Sequence, residues 1–257
     1  MSLAACAEIV EKGDPGRFAA TMAAPPAARA RLWPLYAFNL EIARAPYASA
    51  EPLIAEMRLQ WWVDAARAMT EGGGATGDIA RALAGVVAET GLPAGLLSGM
   101  AEARRWEVWR EPFPDLAAFE DHIDTTSGNL MWAAALALGA EDGAEPVVRD
   151  FAWGAGLANW LHSVPELEAR GCWPLIDGRP EALRALALEG LSRIARARHN
   201  RHVLARPAIP ALWPGFSARA LLKQVVAEPA AVAAGRLRIS DFQRSRALLG
   251  RALSGYW

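Results

Sequence analysis

Apolar residues recur three and four positions apart through almost every segment of this chain, and that spacing limits what it can fold into more than any other feature. The background is rich in Ala, Leu and Arg and poor in β-branched runs, so the period lines one face of a helix and leaves no alternating pattern for strands. The expected class is all-α. Helices are predicted at about 3–12, 15–22, 28–45, 52–70, 77–90, 93–110, 116–138, 145–170, 181–204, 217–226 and 240–254. Asp14-Pro15, Asp115 and Ser240 followed by Gln243 read as N-terminal helix signals, the last as a capping box. Gly72 to Gly74, Gly91-Leu-Pro93, Pro112-Phe-Pro114, Gly178-Arg-Pro180 and Pro207 to Pro214 read as breaks between helices. Gly72 to Gly74 precedes no strand, so it is a turn and not a nucleotide loop. None of the breaks is long enough for an interdomain linker. The 257 residues, 53% of them hydrophobic, are therefore expected to form one domain spanning 1–257 around a large core.

Composition removes several function classes. A net charge of −1 gives no global pull toward nucleic acid or an anionic membrane. The longest apolar stretch, Met131 to Ala140, is too short to span a bilayer. Glu8, Glu11 and Asp14 stand where an export address needs basic or apolar residues, which makes cytoplasmic residence the expectation. Cys6 and Cys172 lack the number and spacing of a disulfide framework or zinc site and read as buried thiols. Trp61, Trp106, Trp109, Trp153 and Trp160 fall in predicted helices, where they would line a wide apolar interior as core or as a pocket for a long apolar ligand.

Two segments carry a recognisable pattern. Tyr36-Ala-Phe38 lies near the end of one helix and Leu59-Gln-Trp-Trp62 on the next, with Asn159 to Gly171 following in order and spacing. Phe119 to Gly139 and Pro207 to Pro214 extend the likeness over nearly the whole chain, which resembles the squalene/phytoene synthase superfamily. The resemblance implies an isoprenoid-synthase-type helical bundle around a deep cavity and head-to-head condensation of two prenyl diphosphates. Catalysing members use two D-x-x-x-D motifs. Carboxylates four apart share a helix face, and two such helices hold Mg²⁺ ions that neutralise the departing diphosphate.

Counted from Tyr36, the first motif falls on Ala43 and Tyr47, and counted from Asn159 the second falls on Ser163 and Leu167. All four carboxylates are absent. Arg44 stands where the family often has another Asp, Asn159 keeps the family's amide position and His162 replaces a basic residue. Pro165 is expected to kink the second helix. The reading is a neutral-to-basic cavity mouth with no metal and no catalytic residue, in which Tyr36, Glu41, Arg44, Asn159, His162 and Glu166 are the candidate ligand contacts. Phe38 to Arg44, Arg58 to Trp62 and the terminal Ser254-Gly-Tyr-Trp257 resemble a divergent branch of the superfamily. That branch includes an assembly factor of mitochondrial respiratory complex I, which also lacks the aspartates.

The resemblance thus implies a non-catalytic assembly or interaction factor with complex I subunits or another protein as partner, associated with the inner-membrane surface. One alternative is an active Mg²⁺-dependent prenyl-diphosphate transferase using relocated acids (Glu41, Glu166, Glu120 and Asp124). The other is a non-catalytic binder of a prenyl or other lipid. Glu107 with Glu111, Glu120 with Asp124, and Glu141 with Glu145 have helical spacing and read as solvated faces. The basic run with Arg193, Arg196, Arg198 and Arg201 reads as a candidate patch for an acidic partner or, at most, peripheral membrane contact. It lacks the interleaved aromatics of a nucleic-acid site.

Overall fold

Helices form where the apolar period predicts them. The computed structural model describes residues 3–71, 73 and 76–257, and among these no strand occurs. In chain order α1 is Leu3–Gly13, α2 Pro15–Ala23, α3 Pro26–Arg44, α4 Pro52–Thr70, α5 Asp78–Thr90, α6 Ala94–Ala103 and α7 Arg105–Trp109. They are followed by α8 Leu116–Ile123, α9 Asn129–Ala137, α10 Glu145–Ala169, α11 Pro180–His199, α12 Ala218–Ala227 and α13 Asp241–Ser254. Local chemistry sets several of these boundaries. Asp14 accepts a hydrogen bond from the Arg17 amide at 2.8 Å and Asp115 one from the Ala118 amide at 2.8 Å, each satisfying an orphan donor of a first turn. Ser240 and Gln243 form the reciprocal capping box, with bonds of 3.2 and 3.0 Å. The predicted turn at Gly72 to Gly74 falls mostly outside the described residues.

α10 is the central element. It packs on α11, α12, α9, α8 and the segment Arg206–Ser217, and buries Phe151, Trp153, Leu157, Trp160, Leu161 and Val164. Its seam with α11 is close because Gly154 meets Gly190. A Cβ on Gly154 would stand 2.8 Å from the Gly190 carbonyl oxygen, so neither backbone tolerates a side chain there without moving. The second layer is built on α3, which contacts α1, α5 and α9, while α4 packs on α6.

The structure refines several local expectations. The predicted helix 93–110 divides at Arg104 into α6 and α7, and α7 ends at Arg110 in the left-handed region (φ 57°). The predicted helix 116–138 runs through a π-helical turn, Asp124–Gly128. There Arg149 reaches across to bond Asp124 at 2.8 Å and Asn129 at 3.2 Å, holding the widened turn. Pro207 to Pro214, read as a break, lies within a 3₁₀ segment, Arg206–Ser217, whose Ala208, Pro210, Ala211, Leu212 and Trp213 are buried against α9 and α10. The predicted helix 145–170 is observed as α10, which continues as helix through Pro165 to Ala169. Two tryptophans are also misplaced by periodicity. Trp153 and Trp160 are in the core, but Trp61 is 42% and Trp109 53% exposed. Cys6 and Cys172 are buried and unpaired, as expected.

Candidate functional site

The two motif segments come together at the end of α3 and the last turns of α10. After α3 the chain makes a 3₁₀ turn, Ala45–Tyr47, which carries the Tyr47 ring to 4.0 Å from the guanidinium of Arg170, one residue past α10. The Tyr47 hydroxyl donates to Glu107 Oε2 at 2.7 Å, and Glu107 pairs with Arg104 at 2.5 Å. Glu107 is only 3% exposed, which overturns the solvated face predicted for it. A sign of this was present in the chain: Leu97, Met100, Arg104 and Glu107 continue one helical register, so the acid occupies an apolar slot.

Of the other ligand positions, Ala43 is half-buried, Ser163 Oγ donates to the Asn159 carbonyl of its own helix at 2.9 Å, and Leu167 is buried. Burial, with Glu107 beside it, pushes the Tyr47 phenol well above its ordinary pKa, so it stays a neutral hydrogen-bond donor. Hard cations take oxygen ligands, chiefly carboxylates. Among the described residues no three His, Cys, Asp or Glu side chains stand close enough together to hold a metal. The residues present do not fit the family's Mg²⁺ cluster.

The candidate ligand contacts divide between two cavities. Tyr36, Asn159 and His162 line a polar cleft of about 270 Å³ together with Asp14, Arg17, Ser127, Arg238 and Arg244. Tyr36 is fully buried, and its hydroxyl has no hydrogen-bond partner among the described residues. Arg17 lies 4.8 Å over its ring, and burial raises the phenol to about 12. Glu41 and Arg44 instead line a larger groove of about 860 Å³ between α1, α4 and the start of α5, walled by Ile9, Ile54, Met57, Trp61 and Trp62. Glu166 is in neither cavity and is ion-paired with Arg170. Periodicity placed these residues on faces but gave no way to see that the faces open on different sides of α3.

An aromatic cluster packs beside the Tyr47 network. His122 lies 5.1 Å from Trp160, 5.3 Å from Phe113 and 5.6 Å from Trp106, its Nε2 buried without a partner. Burial, reinforced by the charge of Arg104, depresses its pKa to about 3, so it is neutral in the folded protein.

The relocated acids do not converge. Glu120 is held by Arg193 at 3.1 Å, Asp124 by Arg149 at 2.8 Å and Glu166 by Arg170. The predicted basic patch is broken up in the same way. Arg193 also bonds Glu189 at 2.8 Å and lies 4.0 Å over the Trp153 ring, while Arg196 makes a two-toothed pair with Asp150 at 2.5 and 2.6 Å. Arg193 and Arg196 therefore neutralise their own fold, leaving Arg198 and Arg201 of the original four.

The arrangement of helices, with two motif ends meeting over the end of a central helix, defines an isoprenoid-synthase-type all-α protein. Among solved structures the chain is similar to a dehydrosqualene synthase in complex with ligand, with a TM-score of 0.82 and 13% identity over 98% of this chain and 95% of that one. It is also similar to the squalene synthase HpnC from Alicyclobacillus acidocaldarius, with a TM-score of 0.72 and 14% identity over 92% of this chain and 95% of that one. Residues 10–175 match the family model for squalene/phytoene synthase, and the chain belongs to that family. No curated protein sequence matches it. No helix among the described residues is long and apolar enough to cross a membrane.

Proposed function

We propose that this squalene/phytoene synthase family member does not carry out Mg²⁺-dependent prenyl-diphosphate chemistry and acts as an interaction or assembly factor, specifically in the assembly of respiratory complex I at the inner-membrane surface. The observation that carries the first half is the Tyr47–Glu107–Arg104 network capped by Arg170. Where the chemistry needs carboxylates free to ligate metal, the two motif ends are joined by a phenol and an acid already committed to arginine. A partner-binding role is supported by α4, where Leu53 (69% exposed), Ile54, Met57 (71%) and Trp61 present an apolar face beside the 860 Å³ groove. Contiguous exposed apolar surface of this kind marks interaction sites. The complex I assignment rests on the resemblance of Phe38 to Arg44, Arg58 to Trp62 and Ser254 to Trp257.

The decisive experiment incubates the purified protein with farnesyl or geranylgeranyl diphosphate and Mg²⁺. No diphosphate release above a heat-denatured control is expected, and release that disappears in Glu41→Gln or Glu166→Gln overturns the proposal. The assembly role is tested by deleting the gene and assaying membrane NADH:quinone oxidoreductase. A lowered complex I level is expected, and an unchanged one refutes that assignment. The lipid-carrier alternative has less support. The 270 Å³ cleft lies below the roughly 300–1,000 Å³ typical of small-molecule pockets, and the 860 Å³ groove, though within that range, is walled by exposed side chains such as Met57 and Trp61; native mass spectrometry after gentle purification should find no retained prenyl lipid.

A further inference from the structure

Five cations from α11, α12 and α13 gather without an acid among them. Arg198 near the end of α11 and Arg219 and Lys223 on α12 line one pocket of about 410 Å³ with Leu191, Ile194 and Ala195. Arg201, just after α11, lies 4.8 Å over the ring of Tyr256. Arg251 of α13 is half-buried. Its Nη1 donates to the Ala247 carbonyl at 3.1 Å, and its Nε is buried with no partner. Among the described residues these five make none of the protein's salt bridges, whereas the nearby α11 arginines, Arg193 and Arg196, have taken Glu120, Glu189 and Asp150.

The cluster carries an electrostatic cost. Burial lowers the Arg198 pKa, with Arg219 and Arg201 adding to the effect, and burial with Arg198 lowers Arg251 to about 10. Arg251 remains charged at neutral pH. Like charges held together in a partly desolvated place repel, and a fold relieves this by supplying a counter-charge. Among the described residues no side chain supplies one here.

We infer that Arg198, Arg219 and Lys223, with Arg201 and Arg251 adjoining, form a binding site for a multiply charged phosphate group. Guanidinium forks match phosphate oxygens two at a time, and a phosphate carrying more than one negative charge relieves the repulsion where a single carboxylate would leave most of it. The apolar floor of Leu191 and Ile194 keeps the pocket partly dry, which strengthens each contact. Free pyrophosphate and the phosphomonoester headgroup of phosphatidic acid present the same chemistry. The inference uses none of the motif positions and so stands or falls separately from the proposed function.

The test compares the wild-type chain with Arg198→Gln/Arg219→Gln and with Arg67→Gln/Arg81→Gln, which removes equal charge from arginines paired to Glu102 and Asp78. One arm titrates inorganic pyrophosphate calorimetrically at low salt. The other sediments the protein with phosphatidic acid or phosphatidylcholine vesicles. In at least one arm the anionic probe should bind wild type and the control pair alike and lose about tenfold or more in affinity with the cluster pair. Pyrophosphate binding assigns the site to a free ligand, and phosphatidic acid binding alone assigns it to a lipid headgroup. Absence of binding in both arms, or equal losses in the two double variants, overturns the inference. Lys223 is exposed at the pocket, and a reduced affinity in the single variant Lys223→Gln is expected even if the cluster pair fails to fold.

Discussion

The motif end of the molecule and the α11–α12 cluster both concentrate charge, and they deal with it in opposite ways. At the motif end the groups around Tyr47 are answered from inside the fold: Glu107 takes Tyr47 and Arg104, Arg170 takes Glu166 and covers Tyr47, and His122 beside them stays neutral. At the cluster Arg198, Arg201, Arg219, Lys223 and Arg251 have no acid partner among the described residues. A site that satisfies itself holds structure together and offers little to a ligand. One that leaves like charges unanswered favours whatever brings the missing charge. The family's phosphate chemistry belongs to the first region, yet the affinity for phosphate inferred here belongs to the second.

This contrast can be broken most forcefully at Glu107. Removing one member of a buried pair strands the other, so Glu107→Ala should cost about 3–5 kcal/mol by urea denaturation. Glu107→Gln, which keeps an acceptor for Tyr47, should cost less. A loss within experimental error for Glu107→Ala would mean that the motif end is not structural. Restoring the family's acids should also fail. Tyr47→Asp sets a carboxylate against Glu107 and Leu167→Asp buries one, so the fourfold variant with Ala43→Asp and Ser163→Asp should lose stability by at least about 3 kcal/mol without gaining Mg²⁺-dependent diphosphate release. Recovery of stability on adding Mg²⁺ would show that the metal site remains latent.

His122 offers a graded probe of the same region. Its folded pKa of about 3 lies below the ordinary 6.5, so between these values the unfolded chain binds a proton that the native state does not. Its contribution to stability is complete above about pH 6.5 and falls as the pH drops toward 3, by up to about 1.4 kcal/mol per pH unit. His122→Phe should flatten the stability profile of the chain between pH 4 and 6, and identical profiles for variant and wild type would place the imidazole in contact with water. The smallest effect is expected at the cluster. Arg198→Gln should leave the melting temperature unchanged or slightly higher at low salt, and added phosphate should raise that of wild type more than that of the variant. A marked destabilisation without phosphate would show that the cluster, too, is internally satisfied.

Much of the fold was legible before any coordinates. The helix over 52–70, the capping box at Ser240 and Gln243, and the burial of Cys6 and Cys172 follow from patterns within a few turns of chain. The site was legible only as positions. Ala43, Tyr47, Ser163 and Leu167 are the family's ligand positions by spacing, but nothing local revealed that Tyr47 reaches Glu107, 60 residues away, or that Arg193 reaches Glu120, 73 away. The π-helical turn at Asp124–Gly128 was hidden for a related reason, since its clasp, Arg149, lies on α10. Trp61 and Trp109 misled because helical period assigns a face without saying whether another element covers it.

Residue type at fixed spacing thus settles the all-α class, the resemblance to the squalene/phytoene synthases and the loss of their four carboxylates, because each depends on neighbours along one chain. Packing in three dimensions settles which charges are spent. It closes the motif end around Glu107, separates Tyr36 from Glu41 into different cavities, and leaves the cations of α11, α12 and α13 together. Coulomb energy and desolvation depend on distance through space, and that distance is set when the helices meet.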